Sequence, residues 1–416
     1  MRSPIPFSLG LATAFASLST GHTIFTTLFI NDINQGDGTC IRMPKDGNVC
    51  THPIAGGLNS PDMACGRDGQ QAVAFTCPAE AGSKLTLEFR MWADASQPGA
   101  IDPSHLGSTA IYLKPVSNIA TDSASGPGWF KIFHEGYDTT TSQWSTQKLI
   151  ANRGLLSIDL PSALPTGYYL FRSEILTLQN VTHDTIVDPQ FYVGCAQLFI
   201  SGTSSSPSPS PCQPRLHPRP HLPTDPGLHF NVYKDDPVAN SYHVVGPDPF
   251  FSTSSTKANT KTTTTQPQEE GLVPPTCLLK NANWCASELP AYNTEAGCWA
   301  ASEDCYNQLN ACYESAPPTG SRGCKVWEEE KCTVVQEECK SGVGRRGSAR
   351  KGVKVGFEES ASGEGGGAVV ATPSVTVTAA AATSTAAAVI VAAPTETVKK
   401  SCQRKRMAIR ERRRRN

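Results

Sequence analysis

Along the N-terminal half of the chain, apolar and polar positions alternate in short bursts. "KLTLEFRMW" (84–92), "TAIYLKPV" (109–116), "GWFKIFHEG" (128–136), "LLSIDLP" (155–161), "GYYLFRSEILTL" (167–178) and "QFYVGCAQLFIS" (190–201) are rich in β-branched and aromatic residues, and turn residues bound them. In "SALPTG", Pro165 presets φ and Gly167 accepts positive φ, which makes a turn between two of these strands. No long helical period runs through 22–202. Many short strands at this spacing predict an all-β, two-sheet sandwich of immunoglobulin-like type. The long Gly/Pro/Asp stretches "KDGNVC" and "IAGGLNSPDMACGRDGQQ" read as end loops, where function collects on such a scaffold.

The pattern changes at both ends and twice within. Residues 1–21 read as a secretory signal: Arg2, a short apolar run in "FSLGLATAFASL", then small residues before Gly21. The expected mature protein starts at His22 and is extracellular. Residues 22–251 form the main domain, interrupted by a Pro/Ser-rich insert at 203–223, after which 224–251 regains strand-like character. A Ser/Thr-rich linker follows at 252–276, then a compact segment at 277–339 and a low-complexity tail at 340–416 with a basic end. The Ala/Val/Thr run in that tail carries too much Ser, Thr and Pro for a good membrane span, so a membrane anchor is not the expectation.

Composition narrows the function. A formal net charge of −1 gives the chain no general means of holding nucleic acid, and the expected assembly is a monomer. Of the 15 cysteines, eight lie within 277–339, which predicts a small disulfide-rich module whose pairing is open. The absence of a CxxC pair argues against zinc there. Trp284, Trp299 and Trp327 either fill that module's core or bind sugar. Glu88, Asp94, Glu135 and Glu174 are scattered over different strands and loops, without the paired-carboxylate pattern of a glycoside hydrolase.

The N-terminal histidine carries the chemistry. Cutting after Gly21 leaves His22 with both an imidazole and a free α-amine, two nitrogens that close one chelate ring. A second histidine in the plane would complete a nitrogen set of the tetragonal kind that copper(II) prefers. "HTIF", "DPSHLGSTAIYLKPV", "GPGWFKIFHEG", "KLIANRGLLSIDLP", "YYLFRSEILTL" and "DPQFYVGCAQLFISG" resemble, in order and spacing, the fungal copper-dependent lytic polysaccharide monooxygenases of auxiliary activity family 9, over 22–202 and again over 224–251.

The resemblance implies a β-sandwich with a flat face around one copper ion, and oxidative cleavage of cellulose or a related β-glucan at C1 and/or C4 with an external reductant. Under it, His22 and His105 hold the metal and Tyr192 takes the axial position. Gln190 orients the oxygen species, and its place two residues before Tyr192 puts both on one strand face. It also implies a Cys65–Cys195 disulfide and a sugar-stacking role for Tyr233. One position departs: family members usually place a second-sphere histidine where this chain has Gln179, with His183 nearby as a stand-in. An amide donates a hydrogen bond but does not deliver a proton near neutral pH. The alternatives are therefore a cell-wall binding protein with weakened catalysis and a secreted copper carrier. Asn180 in "NVT" is an N-glycosylation sequon beside this position, and His52 reads as a structural loop histidine. N-terminal sequencing of secreted material is expected to return His-Thr-Ile-Phe as the first residues; any other first residue removes the chelating amine.

Overall fold

The computed structural model describes residues 22–183, 185–202, 223–250 and 267–342. The signal sequence, most of the Pro/Ser insert, residue 251, residues 252–266 of the Ser/Thr-rich linker and nearly all of the tail lie outside the described residues. The strands in chain order are β1 (Ile24–Ile30), β2 (Ile33–Asn34), β3 (Cys77–Glu80), β4 (Lys84–Arg90), β5 (Gly107–Val116), β6 (Phe130–Glu135), β7 (Tyr137–Asp138) and β8 (Gln143–Trp144). Helix α1 (Ser145–Ala151) precedes β9 (Leu155–Asp159), β10 (Gly167–Thr177), β11 (Val181–Thr182), β12 (Ile186–Val187) and β13 (Gln190–Ser201). One sheet has the order β2-β1-β4-β9 and the other β3-β13-β10-β5-β6, with only the β3–β13 pair parallel. This is the β-sandwich expected from the alternation.

The two sheets close on a single core. Leu85, Leu87 and Phe89 alternate inward from β4 and meet Ile111 and Leu113 of β5 and Phe171 and Ile175 of β10. β10 is buried along nearly its whole length rather than alternately, because its outer face is also covered. There Cys65, Ile119, Ala124 and Trp129, from long loops, pack over Ala110, Tyr112, Leu170 and Cys195. Cys65 and Cys195 are joined by a disulfide, as are Cys40 and Cys77, while Cys50 is a buried free thiol. Gly66 has φ +82° and sits where a Cβ would overlap the carbonyl of Val193, so the loop after Cys65 lies directly on β13.

Charge is buried in this covered face. Arg172 donates to Glu174 Oε2 at 2.6 Å and to the Met63 carbonyl at 3.0 Å, and its guanidinium lies 4.9 Å from the Tyr112 ring centroid. Arg172 and Glu174 are 2% and 3% exposed, so neither charge can be left without the other.

One expectation, the strand-like character of 224–251, changes. Residues 223–250 contain no strand beyond coil, turns and a short 3₁₀ turn at Pro226–Leu228. Asp225 accepts from Gly227 N, and Asp236 from Val238 N and Ala239 N, so side-chain acceptors bend the backbone before a ladder can form. Its apolar residues still pack: Leu228, Phe230 and Val245 join Trp144, Leu178 and Phe191 in a second core cluster. The cysteine-rich segment, in turn, is mainly helical. After a hairpin of β14 (Leu279–Asn281) and β15 (Trp284–Ala286) come α2 (Glu295–Ser315), α3 (Arg322–Trp327), a π-turn at Glu328–Cys332 and α4 (Thr333–Lys340).

Cys298, Cys305 and Cys312 recur every two turns along α2, on one face. They bond Cys339, Cys332 and Cys324 in reverse chain order, which ties α2 antiparallel to the following helices. Cys277–Cys285 closes the hairpin. Trp327 is fully buried in this core, 6.3 Å from Trp284 between ring centroids, whereas Trp299 is 41% exposed. The segment ahead of the module is held along the sandwich: Thr76 N donates to the Gly271 carbonyl at 2.8 Å, and Glu269 N and Glu270 N both reach the Tyr168 hydroxyl.

The Glu174→Ala variant is expected to lose about 3–5 kcal/mol of stability, because it leaves Arg172 charged and buried. Thermal unfolding of the secreted protein checks this, and an unchanged Tm would place the charge of Arg172 in contact with solvent.

Candidate metal centre and substrate face

The candidate residues come together at one end of the sandwich because of strand register. Thr177, the last residue of β10, is paired with Gln190 of β13 on one side and with Gly107 of β5 on the other. His105 lies two residues before Gly107, in a turn closed by His105 N to the Asp102 carbonyl at 2.9 Å. A Cβ at Gly107 would overlap the Leu176 carbonyl, so the turn carrying His105 approaches β10 as closely as glycine allows. His22 enters just ahead of β1, where Thr23 N donates to the Thr51 carbonyl at 3.1 Å.

His105 is 8% exposed and its ring centroid lies 6.2 Å from that of Tyr192. Its Nδ1 sits 3.2 Å from Ser104 Oγ, which leaves Nε2 as the nitrogen available to a metal. Burial pushes the His105 imidazole below its ordinary pKa. His22 is lowered further, to about 4, first by burial and then by His52, His105 and Arg67. Both rings are thus neutral near pH 7, the state in which an imidazole lone pair can bind a metal. Burial raises the Tyr192 phenol well above its usual range, so it stays protonated.

Tyr192 donates to Gln190 Oε1 at 3.0 Å, and Gln179 Nε2 donates to the same oxygen at 2.7 Å. Gln190 Oε1 therefore accepts from two donors, which hold the side-chain amide in place. Gln179 Oε1 is buried without a hydrogen-bond partner. The Gln179 carbonyl accepts from the Tyr233 hydroxyl at 3.1 Å, and Tyr233 is 64% exposed. That contact places a flat aromatic at the surface beside Gln179.

Not every expected residue arrives. His183 is exposed, at φ +50°, in the turn between β11 and β12, and does not join the Gln179–Gln190–Tyr192 set. Asn180 is half-buried, with its Nδ2 donating to Asp188 Oδ2 at 2.8 Å.

His52, read from the sequence as a structural loop histidine, lies beside His22 with ring centroids 4.0 Å apart and 37° between planes. Arg67 closes its loop by donating to the carbonyls of Val49, His52 and Pro53, and Ile54 N donates to the Phe191 carbonyl of β13. The signal in "CTHPIAGG" was too short to place this loop against the N-terminus.

Among the described residues no three His, Cys, Asp or Glu side chains converge as a metal cluster. The groups expected to serve a metal are the His22 and His105 imidazoles and the Tyr192 phenol, and cutting the Gly21–His22 bond would add a further nitrogen. That set suits copper(II) better than a hard oxygen-seeking cation.

The profile of Auxiliary Activity family 9 (formerly GH61) matches residues 22–242. The AA9 family lytic polysaccharide monooxygenase C of Aspergillus tamarii is 44% identical over 342 residues, which cover 81% of this chain and 90% of its own. The AA9 family lytic polysaccharide monooxygenase H of Botryotinia fuckeliana is 43% identical over 348 residues, 81% of this chain and 77% of its own. Among solved structures, CvAA9A is 34% identical with a TM-score of 0.47, covering 54% of this chain and 96% of that one.

Gln179→Ala removes one of the two donors to Gln190. It is expected to lower kcat/KM roughly fivefold to tenfold, as the loss of one buried hydrogen bond would, while copper affinity measured by calorimetry stays unchanged. A fall in copper affinity of the same size would instead make Gln179 part of the metal support.

Proposed function

Because this chain belongs to auxiliary activity family 9, whose members are copper-dependent polysaccharide monooxygenases, we propose that it acts outside the cell on cellulose or a related β-glucan and oxidises C1 and/or C4 beside the glycosidic bond. His22, through its ring and its released amine, and His105, through Nε2, would hold one copper ion, with the Tyr192 phenol beside it. Copper bound there supplies the one-electron redox chemistry that activates the oxygen co-substrate. An external reductant supplies the electrons.

The observation that carries this reading is the chain of hydrogen bonds from Gln179 and Tyr192 into Gln190 Oε1, next to His105. Two donors on Oε1 restrict the amide to few orientations, which would leave its NH2 free to act as a preorganised donor. The protonated Tyr192 would bring a neutral phenol rather than a charged phenolate to the metal. Tyr233, exposed and tethered through its hydroxyl, offers a ring face to the apolar face of a sugar. Among the described residues no helix is long and apolar enough to cross a membrane.

Gln179 supports a second reading, a copper- or carbohydrate-binding protein with weakened catalysis, since an amide there cannot pass a proton on. One experiment separates the two. The mature protein, loaded with copper and given cellulose and ascorbate, is expected to release C1- or C4-oxidised oligosaccharides detected by mass spectrometry. His105→Ala is expected to lose copper affinity by more than the roughly 10–100-fold that an outer-shell change costs, and to release no oxidised product. Tight copper binding by the unaltered protein without oxidised products would establish the second reading.

A further inference from the structure

We propose that the cleft between the sandwich and the cysteine-rich module is a second carbohydrate subsite, taking a neutral sugar branch from the polysaccharide held over His22. This rests on the proposed function above and adds to it the kind of substrate.

The cleft has a volume of about 430 Å³ and opens at His22. That volume lies within the roughly 300–1,000 Å³ of ordinary small-molecule sites. From the sandwich it is lined by Asn48 and by Trp92, Asp94 and Ser96 of one loop, and from the module by Pro318. An indole and a proline ring give apolar walls, and amide, carboxylate and hydroxyl groups give acceptors and donors. This mixture suits a ligand with apolar C–H faces and a rim of hydroxyls.

No Lys or Arg lines the cleft, so no side-chain ammonium or guanidinium is there to pair with an anionic branch. Asp94, whose Oδ1 accepts from Ser96 N at 3.1 Å, would repel a uronate. The predicted ligand is accordingly uncharged.

The module wall is held in place. Asn283 Nδ2 donates to the Gly38 carbonyl at 2.8 Å, and Cys40 N donates to Asn283 Oδ1 at 3.0 Å. Thr39 Oγ1 adds a bond to the Ala282 carbonyl at 3.2 Å. A Cβ built on Gly38 would stand 3.0 Å from Ala282 Cβ and 3.1 Å from Pro317 Cγ, so the loop bearing Pro318 packs directly on the sandwich. Because that loop is fixed, a module outside the copper site helps to shape a surface that begins at His22.

The test uses the mature, copper-loaded full chain, titrated calorimetrically with three probes of equal backbone length. These are a linear cello-oligosaccharide, a β-glucan oligosaccharide with neutral sugar branches, and one with uronic acid branches. The neutral branched probe is expected to bind about tenfold more tightly than the linear one. Trp92→Ala should abolish that advantage by removing the apolar wall, and Asn283→Ala should reduce it by releasing the module. The uronate probe should show no advantage until Asp94→Asn confers one.

Asp94 is exposed, so this last variant still reads the cleft if Trp92→Ala fails to fold. Equal binding of linear and neutral branched probes by the unaltered protein would overturn the inference while leaving the functional reading intact. So would an advantage that survives in folded Trp92→Ala. Failure to bind the linear probe, together with no oxidised product from cellulose, would overturn both.

Discussion

The candidate site depends on the ladder end at Thr177. This residue is paired across β10 with Gln190 on one neighbour and Gly107 on the other, so a single strand terminus sets the positions of Gln190, Tyr192 and the turn carrying His105. Because side chains alternate along a strand, slipping this register by one residue would turn Gln190 and Tyr192 to the opposite face. The register is held over the eleven residues of β10 by a core that closes from both sides, and by the Cys65–Cys195 bond anchoring the covering loop to β13. Gln190 then needs only two donors to be fixed, and Gln179 and Tyr192 supply them.

Electrostatics follow from the same packing. His105 and His22 are kept neutral chiefly because they are partly withdrawn from water, and for His22 three nearby basic groups act in the same direction. A site meant to receive a doubly charged cation gains from ligands that arrive without protons. The position usually held by a second-sphere histidine in this family is filled by an amide that bonds Gln190 instead. The substitution exchanges a group able to move a proton for one able only to hold a partner in place.

The cysteine-rich module shows how a small unit with few apolar residues can still be compact. Three disulfides bind α2 to the helices that follow, and Trp327 fills the centre. Seven-residue spacing of Cys298, Cys305 and Cys312 is itself a helix signature, since it returns each sulfur to the same face after two turns. In a sequence dense with cysteines that period is easily passed over, because disulfide modules are expected to be rich in loops. The stretch 223–250 departs from its sequence expectation. Its Phe, Tyr and Val residues suggest strands, yet the interleaved Asp, Asn and Pro residues satisfy or remove the backbone groups that a strand would need.

By itself the sequence pointed to the sandwich, through period-two alternation, and offered His22, His105, Gln190, Gln179 and Tyr192 as candidates, through motifs whose order and spacing are jointly specific. Those features are local, or depend on residues at fixed offsets in the chain, and can be read without knowing what touches what. Only the tertiary structure decided that His52 lies against His22, that Arg67 closes its loop, that Tyr233 reaches the Gln179 carbonyl, and that the module is bonded to the Gly38–Cys40 loop through Asn283. Each of these joins segments far apart in the chain across turns with no repeating pattern, so position along the chain carries no trace of the contact.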